Sequence, residues 1–134
     1  MAQLESVEGI AGVYAAKLRA AGVKSTDALL KMGATAKGRE EIEERSGIAH
    51  RLILKWVNQC DLYRVKGVGE EYAELLQVAG VDTVPELAQR KAEHLRARLA
   101  EANVKKRCVR QLPAVTAVDR WIKQAKSLPR VVKY

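Results

Sequence analysis

Two stretches of this chain carry the same text 58 positions apart, and a chain that repeats itself at such a spacing is built from two copies of one supersecondary unit. Val7 pairs with Val65, Gly9 with Gly67, Tyr14 with Tyr72, Ala15 with Ala73, Leu18 with Leu76, Ala21-Gly22-Val23 with Ala79-Gly80-Val81, and Leu29 with Leu87. The clearer copy runs from Leu62 to Leu76. Leu62 and Val65 stand three apart on one helix face, and Gly67 and Gly69 can take turn dihedrals that a β-carbon would penalise, with apolar Val68 between them. Beyond the turn, Tyr72, Leu75, Leu76 and Ala79 recur at helical spacing, and Gly80 is placed to stop the helix as a left-handed C-cap with Val81 just after it.

This spacing is a helix-hairpin-helix signature: two helices packed across a tight glycine turn. The duplication reaches further, because Lys55-Trp56-Val57-Asn58-Gln59 matches Arg120-Trp121-Ile122-Lys123-Gln124. The lead-in Leu-x-x-Val occurs three times, as Leu4/Val7, Leu62/Val65 and Leu128/Val131, so the chain stops where a third hairpin would begin. In the first copy Ala11 stands where Gly69 stands in the second, and the glycine moves to Gly12. Either that turn differs or Ala11 accepts the same dihedrals.

The expected elements are helices throughout. Ser25 and Thr83 occupy equivalent N-cap positions, and Thr83-Val84-Pro85-Glu86 reads as a capping box with proline in the first turn. A charged helix is expected from Ala36 to Ser46, closed by Gly47, and an amphipathic one carrying Ile48, Leu52, Ile53, Trp56, Val57 and Cys60. In the second copy Leu95, Leu99 and Ala102 line one helix. Val104, Cys108, Val109 and Leu112 line a short basic helix ended by Pro113, and Val115, Val118, Ile122 and Ala125 line the last. The one strand signal is the tail Val131-Val132.

With 134 residues, 48% of them apolar, the chain can build a core, yet either half alone would build only a small one. The expectation is one globular domain over residues 1–134, with a repeat unit at about 1–61 fused to another at about 62–134. No apolar run is long enough for a bilayer, and there is no basic-then-apolar leader, so the expected compartment is the cytoplasm. There Cys60 and Cys108 are expected to be reduced and buried.

The double Gly-Val-Gly-type hairpin, the Tyr-Ala-x-x-Leu helix, the Trp-apolar-x-Gln helix and the closing Leu128-Pro129-Arg130-Val131 resemble a bacterial family of unknown function built from tandem helix-hairpin-helix units. The resemblance covers almost the whole chain. It implies an all-α, SAM-like helical fold of two pseudo-symmetric units. By analogy with hairpins in repair enzymes, helicase accessory proteins and polymerases, it also implies contact with the sugar-phosphate backbone of nucleic acid without reading sequence.

Charge supports that direction. Residues 1–88 carry 11 Lys and Arg against 13 Asp and Glu, whereas residues 89–134 carry 13 against 3. Lys105, Lys106, Arg107 and Arg110 are expected to project from the basic unit toward a polyanion, although the acidic run Glu40, Glu41, Glu43 and Glu44 offers an internal partner for some of the charge. The hairpin residues Gly9 and Gly12 with Lys17, and Gly67 and Gly69, are expected to present backbone N–H groups to phosphate, helped by the helix dipole. Glu70 and Glu71 oppose this in the second hairpin. Tyr14 and Tyr72 read as core residues.

His50 and His94 stand apart from any ligand partner, and no Cys-x-x-Cys, phosphate loop or nucleophile elbow occurs, so neither a metal, a cofactor nor catalysis is expected. The leading reading is a non-catalytic nucleic-acid-binding protein, DNA ahead of RNA, as a monomer or weak homo-oligomer. The alternative is a protein-interaction adaptor that meets an acidic protein partner.

Overall fold

The computed structural model describes residues 3–134, and local chemistry fixes several of its helix ends. The elements are a 3-10 turn at Leu4–Ser6 followed by α1 (Gly12–Ala20), α2 (Thr26–Met32), α3 (Ala36–Ser46), α4 (His50–Leu62), α5 (Glu70–Val78), α6 (Val84–Ala88), α7 (Ala92–Lys105) and α8 (Val115–Ser127). The fold is all-α and globular, with no strand among the described residues. Ser25 accepts a hydrogen bond from the Ala28 N–H at 3.1 Å and Thr35 one from the Gly38 N–H at 3.1 Å, which fixes the starts of α2 and α3. Gly47, at φ 72°, ends α3.

The chain divides into two compact units, Met1–Asp61 with Val131–Tyr134, and Leu62–Arg130. In unit 1, α3 packs on α1 and α2. Its core includes Leu4, Leu18, Leu29, Ile42, Ile53 and Trp56. In unit 2, α8 packs on α6 and α7, and α7 on α5, around Leu76, Leu87, Leu95, Leu99, Val118 and Trp121.

Both α1 and α5 end in the same way. The N–H groups of Val23 and Val81 donate back to Leu18 and Leu76 at 2.9 and 2.8 Å, while Gly22 and Gly80, at φ 93° and 96°, donate to Arg19 and Gln77 at 3.0 Å each. These paired bonds absorb helix-end carbonyls that would otherwise lack partners.

Several sequence expectations are corrected. The short basic helix through Cys108 and Leu112 does not form, since α7 runs on to Lys105 and residues 106–114 are irregular. Asn103 explains the stop: its side-chain oxygen accepts from the N–H groups of Cys108 (2.8 Å) and Val109 (3.2 Å), and its amide donates to the Val109 carbonyl at 3.1 Å. Those backbone groups are satisfied by a side chain in place of a helical ladder, and Pro113 blocks resumption. Val104 is accordingly 87% exposed, and Val115 is exposed as well. Thr83 makes no side-chain cap bond; the Glu86 carboxylate accepts from the Asp82 N–H at 2.8 Å.

Nor does the tail form a strand. Val131–Tyr134 belongs to unit 1, where Val132 is buried and the Lys133 N–H donates to the Ala34 carbonyl at 2.7 Å. Arg39, almost fully buried, donates to the carbonyls of Gly33 (2.8 Å) and Lys133 (2.9 Å) and so joins the end of α2 to the tail. Neither cysteine is in a disulfide, but only Cys60 is buried. Burial pushes its thiol up to about 12, whereas Cys108 is half-exposed.

Candidate nucleic-acid interface

The two glycine turns are closed alike. The Ile10 N–H donates to Val7 and the Val68 N–H to Val65, each at 3.0 Å, and Gly9 and Gly67 sit at φ 94° and 96°, a conformation that other residues rarely hold. Under each turn lies a tryptophan. A β-carbon added at Gly9 would stand 3.1 Å from Trp56 Nε1, and one added at Gly67 would stand 3.1 Å from Trp121 Nε1. Tyr14 packs edge-on to Trp56 at 5.2 Å between ring centroids, and Tyr72 lies tilted on Trp121 at 5.1 Å.

Gly69 and Ala11 are the N-caps of α5 and α1, with φ of −95° and −96° and extended ψ. No left-handed conformation is required there, which is why alanine serves in one copy and glycine in the other.

In unit 2 the turn is gripped from α8. Gln124 accepts from the Lys66 N–H at 2.9 Å and donates to the Lys66 carbonyl at 3.1 Å, leaving the Lys66 side chain exposed at the turn. The irregular segment after α7 is also tied down. The Cys108 thiol donates to Glu74 of α5 at 3.2 Å, Lys106 pairs with the same carboxylate at 3.5 Å, and Arg96 Nε donates to the Pro113 carbonyl at 3.3 Å. Held in this way, the segment presents Arg107 and Arg110 to solvent.

Two adjoining cavities result. One of about 580 Å³ is lined by Glu71, Tyr72, Arg107, Cys108, Arg110 and Gln111 among others. The next, about 440 Å³, is lined by Lys66, Gly67, Tyr72, Gln111, Arg120 and Trp121 among others. Tyr72 and Gln111 belong to both, so the two form one groove with Tyr72 at its waist. Four cations line the two cavities, Arg107 and Arg110 the larger and Lys66 and Arg120 the smaller, and Glu71 is the carboxylate in their lining. A groove of that balance attracts anions.

Residues 8–128 match the family described as domain of unknown function DUF4332. The chain belongs to that family. No curated protein and no solved structure matches it. Among the residues singled out from sequence, the structure brings together Gly67, Arg107 and Arg110. Lys106 is engaged with Glu74, Lys105 is the exposed last residue of α7, and Gly69 caps α5; none of the three lines the groove.

Gly9, Gly12 and Lys17 belong to unit 1, and Lys17 sits in the last turn of α1, away from the N–H groups that open the helix. Lys66 and Gln111 are not among the residues expected from the sequence to meet a polyanion, and Arg120 is marked there only as one of the basic, solvent-facing residues of the last helix. The signal for Lys66 was its position directly before the turn glycine. Gln111 had none, because only packing brings it beside Tyr72 of α5. Among the described residues no three His, Cys, Asp or Glu side chains group to hold a metal ion, and no helix is long and apolar enough to cross a membrane.

Proposed function

We propose that this chain is a non-catalytic protein of two pseudo-symmetric helix-hairpin-helix units that binds nucleic acid, DNA ahead of RNA, through its phosphate backbone and without reading sequence. The observation that carries the reading is the groove beside the second glycine turn, whose lining holds four cations and one carboxylate. Unit 2 as a whole carries 14 Lys and Arg against 8 Asp and Glu, so the local excess sits in a positive field. The opening N–H groups of α1, with no acidic residue in their first turn, supply a second place where phosphate is favoured. Two thiols that are not joined in a disulfide suit a reducing cytosol.

The test is affinity for random-sequence DNA across a salt series. Log affinity should fall linearly with log salt. Replacing Arg107 and Arg110 by Glu should reduce the slope by about 0.7–0.9 for each phosphate that the protein no longer neutralises. Replacing Lys105 by Glu should do less, since it lies outside the groove. Glu70→Lys with Glu71→Lys should tighten binding. Because phosphates carry no base information, each effect should be the same on unrelated sequences. Absence of salt-sensitive binding to duplex and single strands alike at low ionic strength would overturn the reading in favour of a protein-interaction adaptor.

A further inference from the structure

We infer that the groove of unit 2 is a site for single-stranded nucleic acid, with one base seated on Tyr72 and the flanking phosphates held on one side by Arg107 and Arg110 and on the other by Lys66 and Arg120. This rests on the proposed nucleic-acid function and adds to it which form of nucleic acid the groove takes.

The shape of the groove comes first. The cations line adjoining cavities of about 580 and 440 Å³, which is room for a short stretch of one strand. A duplex, whose major groove alone is about 12 Å across, meets only the rim. Next is the residue at the waist. Tyr72 is half-buried, its ring is held by Trp121 at 5.1 Å, and it lines both cavities. A rigid aromatic between two pairs of cations matches a strand whose unstacked base needs a flat apolar partner while its phosphates need charge on either side. Duplex bases are already stacked on one another and leave such a ring unused.

The polar groups fit as well. Gln111 is exposed and shared by both cavities, so its amide stands beside the seated base, and an amide both donates and accepts. Gln124 is committed to the Lys66 backbone and does not contribute. Among the residues lining the groove, Glu71 opposes a phosphate, at the α5 edge of the larger cavity, while the nearby Glu74 carboxylate is engaged by the Cys108 thiol and Lys106.

Cys108 gives the site its own reporter. It lines the larger cavity and is half-exposed, while Cys60 is buried in the other unit and serves as an internal control. The experiment measures binding of the full chain to a fluorescent oligothymidylate and to a random duplex of matched length, together with the rate of iodoacetamide alkylation at Cys108. Single strand should bind about tenfold more tightly than duplex, the advantage of roughly one stacked base, with a salt slope near −0.7 per phosphate contact. Bound oligothymidylate should slow alkylation of Cys108, and duplex at equal occupancy should not. Tyr72→Phe should keep the preference and Tyr72→Leu should lose it. Arg107→Glu with Arg110→Glu, both on an exposed irregular segment, should weaken single-strand binding by about tenfold or more.

If duplex binds as tightly as single strand, the inference fails while the proposed function stands. It fails equally if single strand binds but leaves Cys108 unprotected, since the strand then lies elsewhere. If neither ligand binds at low ionic strength, the proposed function and the inference fall together.

Discussion

In unit 1 the turn glycine follows Glu8, and the helix it feeds opens with Gly12, Val13 and Tyr14; in unit 2 it follows Lys66, and the helix opens with Glu70, Glu71 and Tyr72. The charge before the turn is reversed, and only the second helix opens with acids. The backbone is unchanged: Gly9 and Gly67 share a φ within a few degrees, the same closing bond and a tryptophan at the same distance. The supporting glutamines differ again. Gln124 clamps the Lys66 backbone, whereas Gln59, at the matching place in unit 1, is fully buried and its amide oxygen and nitrogen have no hydrogen-bond partner among the described residues. Turn geometry thus follows from glycine over tryptophan and does not need the glutamine clamp or any one charge pattern. Charge is left free to set what each turn faces.

The largest expected effect tests the shared element. Gly9→Val and Gly67→Val should each cost about 1–3 kcal/mol, because a left-handed backbone is strained with a β-branched residue and the new atoms crowd an indole. Gly12→Ala and Gly69→Ala, at positions with ordinary φ and nothing within 4 Å of an added β-carbon, should change stability by less than about 1 kcal/mol. Thermal melts of the four variants read the contrast directly. Equal losses in all four would show that the turn depends on glycine for another reason.

A smaller effect separates the glutamines. Gln124→Leu removes two hydrogen bonds and should cost about 1–2 kcal/mol, while Gln59→Leu removes a buried amide that bonds to nothing and should be neutral or stabilising. Denaturant unfolding of both would decide it. A loss at Gln59 as large as that at Gln124 would mean that the first clamp also closes in solution.

The smallest concerns an ion pair confined to unit 1. Arg19 donates to Glu5 through both terminal nitrogens, at 2.8 and 2.7 Å, where unit 2 has uncharged Tyr63 and Gln77 at the matching positions. The bond to Arg19 holds the Glu5 carboxyl down at about 2. A depressed folded-state value means that the stabilisation is present above the ordinary carboxylate range and is lost as pH falls toward 2. Both groups are exposed, so Glu5→Gln should shift the neutral-pH melting temperature by little more than its error and flatten the acid limb slightly. A large shift at neutral pH would mean that the pair does more than a surface contact.

Much of this was legible locally. The Ser25 cap, Gly47 after Ser46, the Gly22 and Gly80 stops and the apolar stripes of α4 and α8 all depend on residues within about five positions of one another, where backbone sterics and hydrogen bonding act without the rest of the chain. The glycine turns at Gly9 and Gly67 were legible for the same reason. Local signals misled where a side chain outbid the helix: Val104, Cys108, Val109 and Leu112 have helical spacing, but Asn103 claims the backbone of Cys108 and Val109.

By itself, then, the chain's text determined that it is all-α, where most helices begin and end, that Gly67 and Gly80 are left-handed, and that the basic charge gathers in the second half; that Gly69 has an ordinary φ was not legible there. Only the tertiary structure decided that residues 131–134 return to unit 1, that Arg39 is buried between Gly33 and Lys133, and that Lys66, Arg107, Arg110 and Arg120 share one groove. The reason is physical. A cap or a turn is fixed by neighbours that the chain cannot separate, whereas a groove is fixed by which helix faces pack, and that is settled by burying apolar surface over sequence distances at which no local spacing records the partner.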